Sequence, residues 1–98
     1  MNAQTVPIIL LTLELHIPAS GSLKEKRRVL KSLKDRIHHA FNVSVAETDY
    51  QDKWQRAILS VCAVGNDKKY LNGIMDRIVQ LVQTIDQAQM TDYSIEFL

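Results

Sequence analysis

A run of cations stands out among the side chains that could do chemistry. Between Ser22 and His39 seven basic residues face only two acids, Glu25 and Asp35, whereas the rest of the chain holds five basic and nine acidic residues. The formal net charge of +1 therefore hides a local excess of positive charge. Cations spaced three or four residues apart lie on one flank of a helix and can follow a phosphate backbone independently of sequence. The residues we assign to this role are Lys24, Arg27, Arg28, Lys31 and Lys34. The alternative is a solvated helix face that keeps the protein soluble.

Two aromatic residues are interleaved with cations farther along the chain. Tyr50 and Trp54 lie next to Lys53 and Arg56, and such a mixture can stack unpaired bases, each contributing about 1–3 kcal/mol. The alternative is structural, because a lone tryptophan in a small domain is usually largely buried. Trp54 would then close the core at the end of a hairpin, with Arg56 packed across it. We expect this structural role for Trp54. The alternative is that Trp54 and Arg56 extend an RNA-binding surface.

The remaining reactive residues argue against catalysis. The three histidines and Cys62 lack the spacing of metal ligands, and Cys62 has no neighbouring base that would make it a nucleophile. Since no nucleophile–base or paired-acid arrangement is present, we expect no enzymatic activity, no catalytic residue, no metal and no cofactor. A single cysteine cannot form an internal disulfide, which favours a reducing compartment.

The hydrophobic pattern indicates six elements that must position these side chains. Alternation from Ile9 to Ile17 predicts a strand with one buried face. Ser22 and Glu25 have capping-box spacing, and the apolar stripe that follows from Leu23 predicts a helix of about 18 residues. The rest of the pattern predicts strands over 42–48, 56–65 and 90–98, and a helix capped by Asn66 and Asp67.

The order βαββαβ is typical of the ferredoxin-like fold. We therefore expect an α+β domain over residues 1–98, with residues 1–7 as a short N-terminal extension. Its four-stranded antiparallel sheet would have the order 4-1-3-2, with two helices on one face. In this arrangement the turn 18–22, the first turn of helix one and the connection 49–54 lie at the same end of the molecule.

Lys26 is an exception among the cations because it falls inside the apolar stripe of its helix. Glu47 has the inward parity of Val43 and Val45, at the matching end of strand two. We expect a partly buried ion pair between Lys26 and Glu47 that fixes how helix one docks on the sheet.

The open face of the sheet predicts an assembly surface. It offers no aromatic platform of the kind that RNA-recognition motifs of this fold use. It does offer an exposed apolar patch, and such patches commonly mark interfaces. We expect a homodimer that buries the patch, which consists of Ile8, Leu10, Cys62 and Val64.

Three sequence blocks together resemble the YlxP-like family of small bacterial proteins, a domain of unknown function. They begin at Ser22 (SLKEKRR), at Phe41 (FNVSVAE) and at Gln51 (QD, followed after one residue by WQR). The resemblance implies a ferredoxin-like fold, a bacterial cytoplasmic setting and genes near those of transcription, translation-initiation and ribosome-maturation factors. It implies no established activity and no catalytic residues.

These observations favour a non-enzymatic bacterial cytoplasmic protein that binds structured RNA, ribosomal or ribosome-associated, through helix one, with Trp54 and Arg56 near the start of that helix. We expect no DNA specificity. We also expect no membrane association, because the apolar run near the N-terminus is interrupted by Glu14 and lacks preceding cations. The alternative is a protein–protein or small-ligand regulatory module that uses the open sheet face or the turn Pro18–Ser22.

Overall fold

The computed structural model describes residues 6–98, and within them the predicted βαββαβ order is confirmed. Most of the extension predicted for residues 1–7 lies outside the described residues. The elements are β1 (Ile8–His16), α1 (Leu23–Ala40), β2 (Ser44–Asp49), β3 (Arg56–Val64), α2 (Lys68–Gln83) and β4 (Gln89–Phe97).

The four strands form one antiparallel sheet in the order β2-β3-β1-β4. This is the predicted order 4-1-3-2 counted from the opposite edge, so the ferredoxin-like prediction is confirmed. β1 is central and pairs with β3 and β4, whereas β2 and β4 are the edge strands. No helix among residues 6–98 is long and apolar enough to cross a membrane.

One face of the sheet forms the core with the two helices. The odd-numbered residues of β1, from Ile9 to Leu15, and Ile17 just beyond it are at most 1% exposed. Alternate β3 residues between Ala57 and Ala63 are buried beside them, and both helices contribute their apolar stripes to the same cluster. The even-numbered residues of β1 are half-buried, because they lie on the face that the helices leave open.

β2 is shorter at its start than the sequence pattern predicts. It begins at Ser44 rather than Asn42 and extends to Asp49. A register shift between Glu47 and Asp49 leaves Thr48 without a paired residue in β3. The Thr48 hydroxyl instead lies 2.8 Å from the hydroxyl of Ser60 on the open face. The irregularity follows directly on Glu47 and leads into the hairpin loop.

Both helices begin at the predicted caps, although the first cap differs in detail. The hydroxyl of Ser22 accepts a hydrogen bond from the amide of Glu25. The Glu25 carboxylate accepts from the amide of Gly21 at 2.6 Å, not from that of Ser22 as a standard capping box would. At α2, Asp67 accepts from two successive backbone amides, those of Lys69 and Tyr70.

The three segments expected at one end of the molecule are joined there by hydrogen bonds. The amide of Ile17 donates to the carbonyl of Gln55 at 2.8 Å. The side-chain amide of Gln55 donates in turn to the carbonyls of Pro18 and Ser20. The hairpin between β2 and β3 is therefore fixed against the turn that leads into α1.

Candidate nucleic-acid interface

The cations of α1 divide between two flanks of the helix. Arg28 and Arg36 line a cleft of about 200 Å³ together with Ile85 and Gln87, which follow α2. This flank therefore faces the α2 side. At 100° per residue the other cations are centred on the flank beside the edge strand β2, although Lys24 lies only about 40° around the helix from Arg28. We call this set the basic row; it consists of Lys24, Arg27, Lys31 and Lys34.

Arg28 thus borders both the basic row and the cleft on the α2 side. Within the basic row, Lys24, Arg27 and Lys31 are exposed, and Lys34 is half-buried. The ammonium of Lys31 lies 2.9 Å from the carboxylate of Asp35, in an exposed pair one helical turn apart. None of the ion pairs formed within residues 6–98 uses the other three members. Lys24, Arg27 and Lys34 therefore present unneutralised positive charge.

Lys26 lies beneath the start of the row and is fully buried. Its ammonium donates hydrogen bonds to the carbonyl of Tyr50 at 2.7 Å and to that of Arg56 at 3.1 Å. The same nitrogen lies 2.8 Å from Oε2 of Glu47, which is the pair expected from the sequence. That carboxylate oxygen accepts no well-directed hydrogen bond from residues 6–98, so charge attraction holds the pair. Lys26 thus joins α1 to both ends of the hairpin loop.

Tyr50 gives the hairpin loop its shape. Its φ of 60° is in the left-handed region, which a bulky residue rarely adopts. The Asp49 carboxylate accepts a hydrogen bond from the Tyr50 amide at 2.7 Å. The Tyr50 carbonyl accepts hydrogen bonds from the amide of Lys53 and from the ammonium of Lys26. These contacts offset the conformational cost, and they hold the backbone of the loop in one arrangement.

Arg56 packs on a different aromatic ring from the one expected. Its guanidinium lies 4.3 Å from the centre of the Tyr50 ring. Nη2 donates to the Tyr50 hydroxyl and to Oε1 of Glu14, both at 3.2 Å. Arg56 is therefore oriented by three contacts, and its charge is partly offset by Glu14.

The structural role expected for Trp54 is wrong. Its side chain is 55% exposed, so it does not close the core. The hairpin end is closed instead by the Lys26 ammonium and by the packing of Arg56 on Tyr50. Trp54 lies in a cleft of about 490 Å³ with Lys53, Arg56 and His16, which returns it to the set of candidate binding residues.

The four residues of the predicted assembly patch are brought together on the open sheet face. Ile8 pairs directly with Val64, and Leu10 pairs directly with Cys62. Val64 is 66% exposed, while the other three are half-buried. The strand register therefore places one continuous apolar patch at the end of the sheet opposite the hairpin.

Residues 6–98 contain no cluster of three or more His, Cys, Asp or Glu side chains that could hold a metal ion. Cys62 carries a free thiol. The described part of the chain thus offers charge and aromatic surface as its chemical features.

Sequence reasoning missed three partners of the candidate residues. Asp35 could have been found, because it follows Lys31 by four residues, the spacing of a helical ion pair. Glu14 is found only once the register places His16 opposite Arg56. No comparable sequence signal predicts that Arg56 packs on the Tyr50 ring, since the position of the ring depends on the left-handed backbone conformation of Tyr50.

Comparisons with known proteins place the chain in a wider setting. Residues 8–95 match a family model described as "Protein of unknown function (DUF503)". The chain is 36% identical over 72 residues to the "Uncharacterized protein YlxP" of Bacillus subtilis (strain 168), covering 74% of this chain and 78% of that protein.

Two solved structures resemble the fold at low sequence identity. The de novo designed protein Foldit4 is 13% identical with a TM-score of 0.56, over 94% of this chain and 96% of the designed one. An amidase of the hydantoinase/carbamoylase family from Burkholderia phymatum is 9% identical with a TM-score of 0.49, over 95% of this chain and 28% of the amidase. The first likeness concerns the fold alone, and the second carries no functional argument.

Proposed function

Because the chain belongs to the DUF503 family of proteins of unknown function, we propose its role from its own geometry. It binds structured RNA, ribosomal or ribosome-associated, in the bacterial cytoplasm, and it does so without catalysing a reaction. The observation that carries this proposal is the basic row, in which Lys24, Arg27 and Lys34 project from one flank of α1 without carboxylate partners.

The spacing of the row suits a phosphate backbone. Lys24 and Lys34 are ten residues apart on α1, which at 1.5 Å per residue corresponds to about 15 Å along the helix axis. A row of this length can reach about three successive phosphates. Contacts of this kind position a nucleic acid without reading its bases, so the proposal includes no DNA sequence specificity. The neighbouring translation-factor genes implied by the YlxP-like resemblance support RNA as the partner.

Binding through the row predicts a defined dependence on salt. About three phosphate contacts give a slope of about −2 to −3 in a plot of log affinity against log salt concentration. The measurement is a fluorescence-anisotropy titration of nuclease-treated protein into labelled ribosomal RNA fragments at several salt concentrations. Replacing Lys24, Arg27 and Lys34 together by alanine should remove this contribution of about 2 to 3 and leave only the slope due to Lys31 and to cations outside the row.

The control for the titration is the replacement of Arg36 by alanine, which removes charge from the α2-facing flank of the same helix. We expect this variant to retain a slope close to that of the natural protein. Absence of binding at low salt, or equal losses from both flanks, would contradict the proposal.

The assembly patch supports a second candidate, an interaction role in which two copies join through their open sheet faces. The four patch residues carry no charge and lie on a flat sheet, so two copies related by a two-fold axis can bury them against each other. We expect light scattering at micromolar concentration to give the mass of a dimer, and Val64→Asp to reduce it to that of a monomer. Asn66→Asp adds the same charge at an exposed position next to β3 and should leave the dimer intact. A monomeric mass for the natural protein would overturn this candidate.

A further inference from the structure

We propose that the β2–β3 hairpin forms a binding site for an unstacked nucleobase and its phosphate, with Trp54 as the stacking surface and Lys53 and Arg56 as phosphate ligands. The inference rests on the proposed RNA-binding function in so far as the base belongs to the same RNA that contacts the basic row. A free mononucleotide offers the same chemistry, and the experiment below separates the two sources.

The first argument is that Trp54 is an exposed ring on a fixed loop. Its indole is 55% exposed, although burial would favour folding by about 1.5–3 kcal/mol for a large apolar side chain. The backbone on both sides of it is held in place. Gln55 is bonded to the turn before α1, and the carbonyls of Tyr50 and Arg56 are bonded to the buried Lys26. A rigid, exposed aromatic side chain stacks on a base at low entropic cost.

The second argument is the chemistry of the cleft around the ring. The cleft is shallow and open to solvent, so a base would lie across the exposed ring and would not be enclosed. In the hydrogen bonds formed within residues 6–98, Arg56 uses Nη2 only, so its Nη1 and Nε donors remain available. Lys53 is exposed and contributes a second cation. A guanidinium and an ammonium beside an indole match a base with an adjacent phosphate.

The third argument is the position of the cleft relative to the basic row. Lys26 reaches from the first turn of α1 to the hairpin, so this turn lies at the hairpin end of the helix. Arg27 follows Lys26 on the β2 side, whereas Lys24 lies in the same turn but about 160° around the helix from Lys26. The basic row also faces the β2 side, and β2 leads directly into the hairpin. An RNA strand that is bound along the basic row and runs toward the start of α1 therefore reaches the hairpin that carries Trp54.

The local charge of the hairpin and of the basic row predicts that the two contribute to RNA binding in different ways. The hairpin carries two acids, Asp49 and Asp52, as well as Lys53 and Arg56, so it has little net charge. The Trp54 ring should contribute stacking, which depends only weakly on salt, whereas the basic row together with the phosphate contacts of Lys53 and Arg56 should set the salt slope. The preferred partner is consequently an RNA with an unpaired segment next to a helix, rather than a continuous duplex.

The experiment uses Trp54 as its own reporter, since it is the one tryptophan of the chain. Intrinsic fluorescence is followed while the full-length protein is titrated with a paired RNA duplex, with the same duplex carrying a single-stranded tail, and with free mononucleotides. We expect quenching by the tailed RNA and none by the duplex. Trp54→Ala should weaken binding of the tailed RNA by about 5- to 150-fold without changing the salt slope.

Tyr70→Ala is the matched control, because it removes an exposed ring, 61% exposed, from the start of α2. This variant should bind the tailed RNA as the natural protein does, and circular dichroism establishes that both variants fold. If RNA binds through the row while fluorescence and the affinity of Trp54→Ala stay unchanged, the hairpin site is refuted and the proposed function stands. If no RNA binds but a mononucleotide quenches Trp54, the site stands with a free nucleotide as its ligand. If neither quenches, the site is refuted.

Discussion

Replacing Lys26 by methionine is expected to lower the free energy of unfolding by about 3–5 kcal/mol, the usual cost of removing one partner from a buried ion pair. The expected loss is large because one ammonium serves three oxygens: Oε2 of Glu47 and the carbonyls of Tyr50 and Arg56. Methionine fills a similar volume but leaves the two carbonyls without a donor and the Glu47 carboxylate without its counter-charge. Urea denaturation followed by circular dichroism measures the change.

The same geometry predicts an asymmetry between the two partners. In Glu47→Gln the Lys26 ammonium keeps both carbonyls, and the side chain at 47 is partly open to water, 17% exposed. We therefore expect the smaller loss of about 1–3 kcal/mol. The double variant should lose less than the sum of the single losses by about 1–3 kcal/mol. It should not regain the stability of the natural protein, because the two carbonyls stay unsatisfied. Strictly additive losses would show that the pair is not coupled.

Reversing the charge of the unpaired members of the basic row should weaken RNA binding at least about 100-fold at 0.1 M salt. Three lost phosphate contacts at a slope of about 0.7–0.9 each correspond to about 100- to 500-fold at that concentration, and repulsion by the new carboxylates adds to this loss. The variant carries Lys24→Glu, Arg27→Glu and Lys34→Glu. Anisotropy titration with the labelled RNA used for the salt series measures the effect.

A matched variant on α2 distinguishes binding at a local surface from attraction of RNA by the net charge of the protein. Lys68→Glu, Lys69→Glu and Arg77→Glu change the net charge by the same amount, and all three positions are exposed. We expect this variant to lose only a few-fold in affinity, because long-range repulsion is screened over about 10 Å at 0.1 M salt. Equal losses in the two variants would mean that the protein attracts RNA by net charge and that the basic row is not an interface.

The fold could be predicted because its signals are local and repeated. The alternation from Ile9 to Ile17 specifies one buried face, and the caps at Ser22 and Asp67 specify where the helices begin. Even the burial of Lys26 could be inferred, since a cation inside an apolar stripe must enter the core with the stripe. Each of these inferences depends on spacing along one element.

The candidate site was harder to predict because it depends on contacts between elements and on loop shape. Trp54 was expected in the core on the basis of its size, but the hairpin already has Lys26 beneath it and Arg56 packed on Tyr50. The left-handed conformation of Tyr50 has no marker in the sequence, where glycine or asparagine would be the usual sign. The position of Arg28 at the cleft on the α2 side could not be predicted until the position of α2 was known.

The central position of β1 has a consequence for how the chain acquires its structure. β1 comes first among the strands, yet its partners are the third and the last, so Ile9 pairs with Phe97 at a separation of 88 residues. Pairings this distant slow the search for the native topology, because a long loop must close before any contact stabilises it. During synthesis the apolar run of β1 must wait for β3, and it receives its second neighbour only when β4 has been made. β1, the segment most buried in the folded protein, is thus the one that stays exposed longest during synthesis and folding. It is the region where chaperone contact would be most useful.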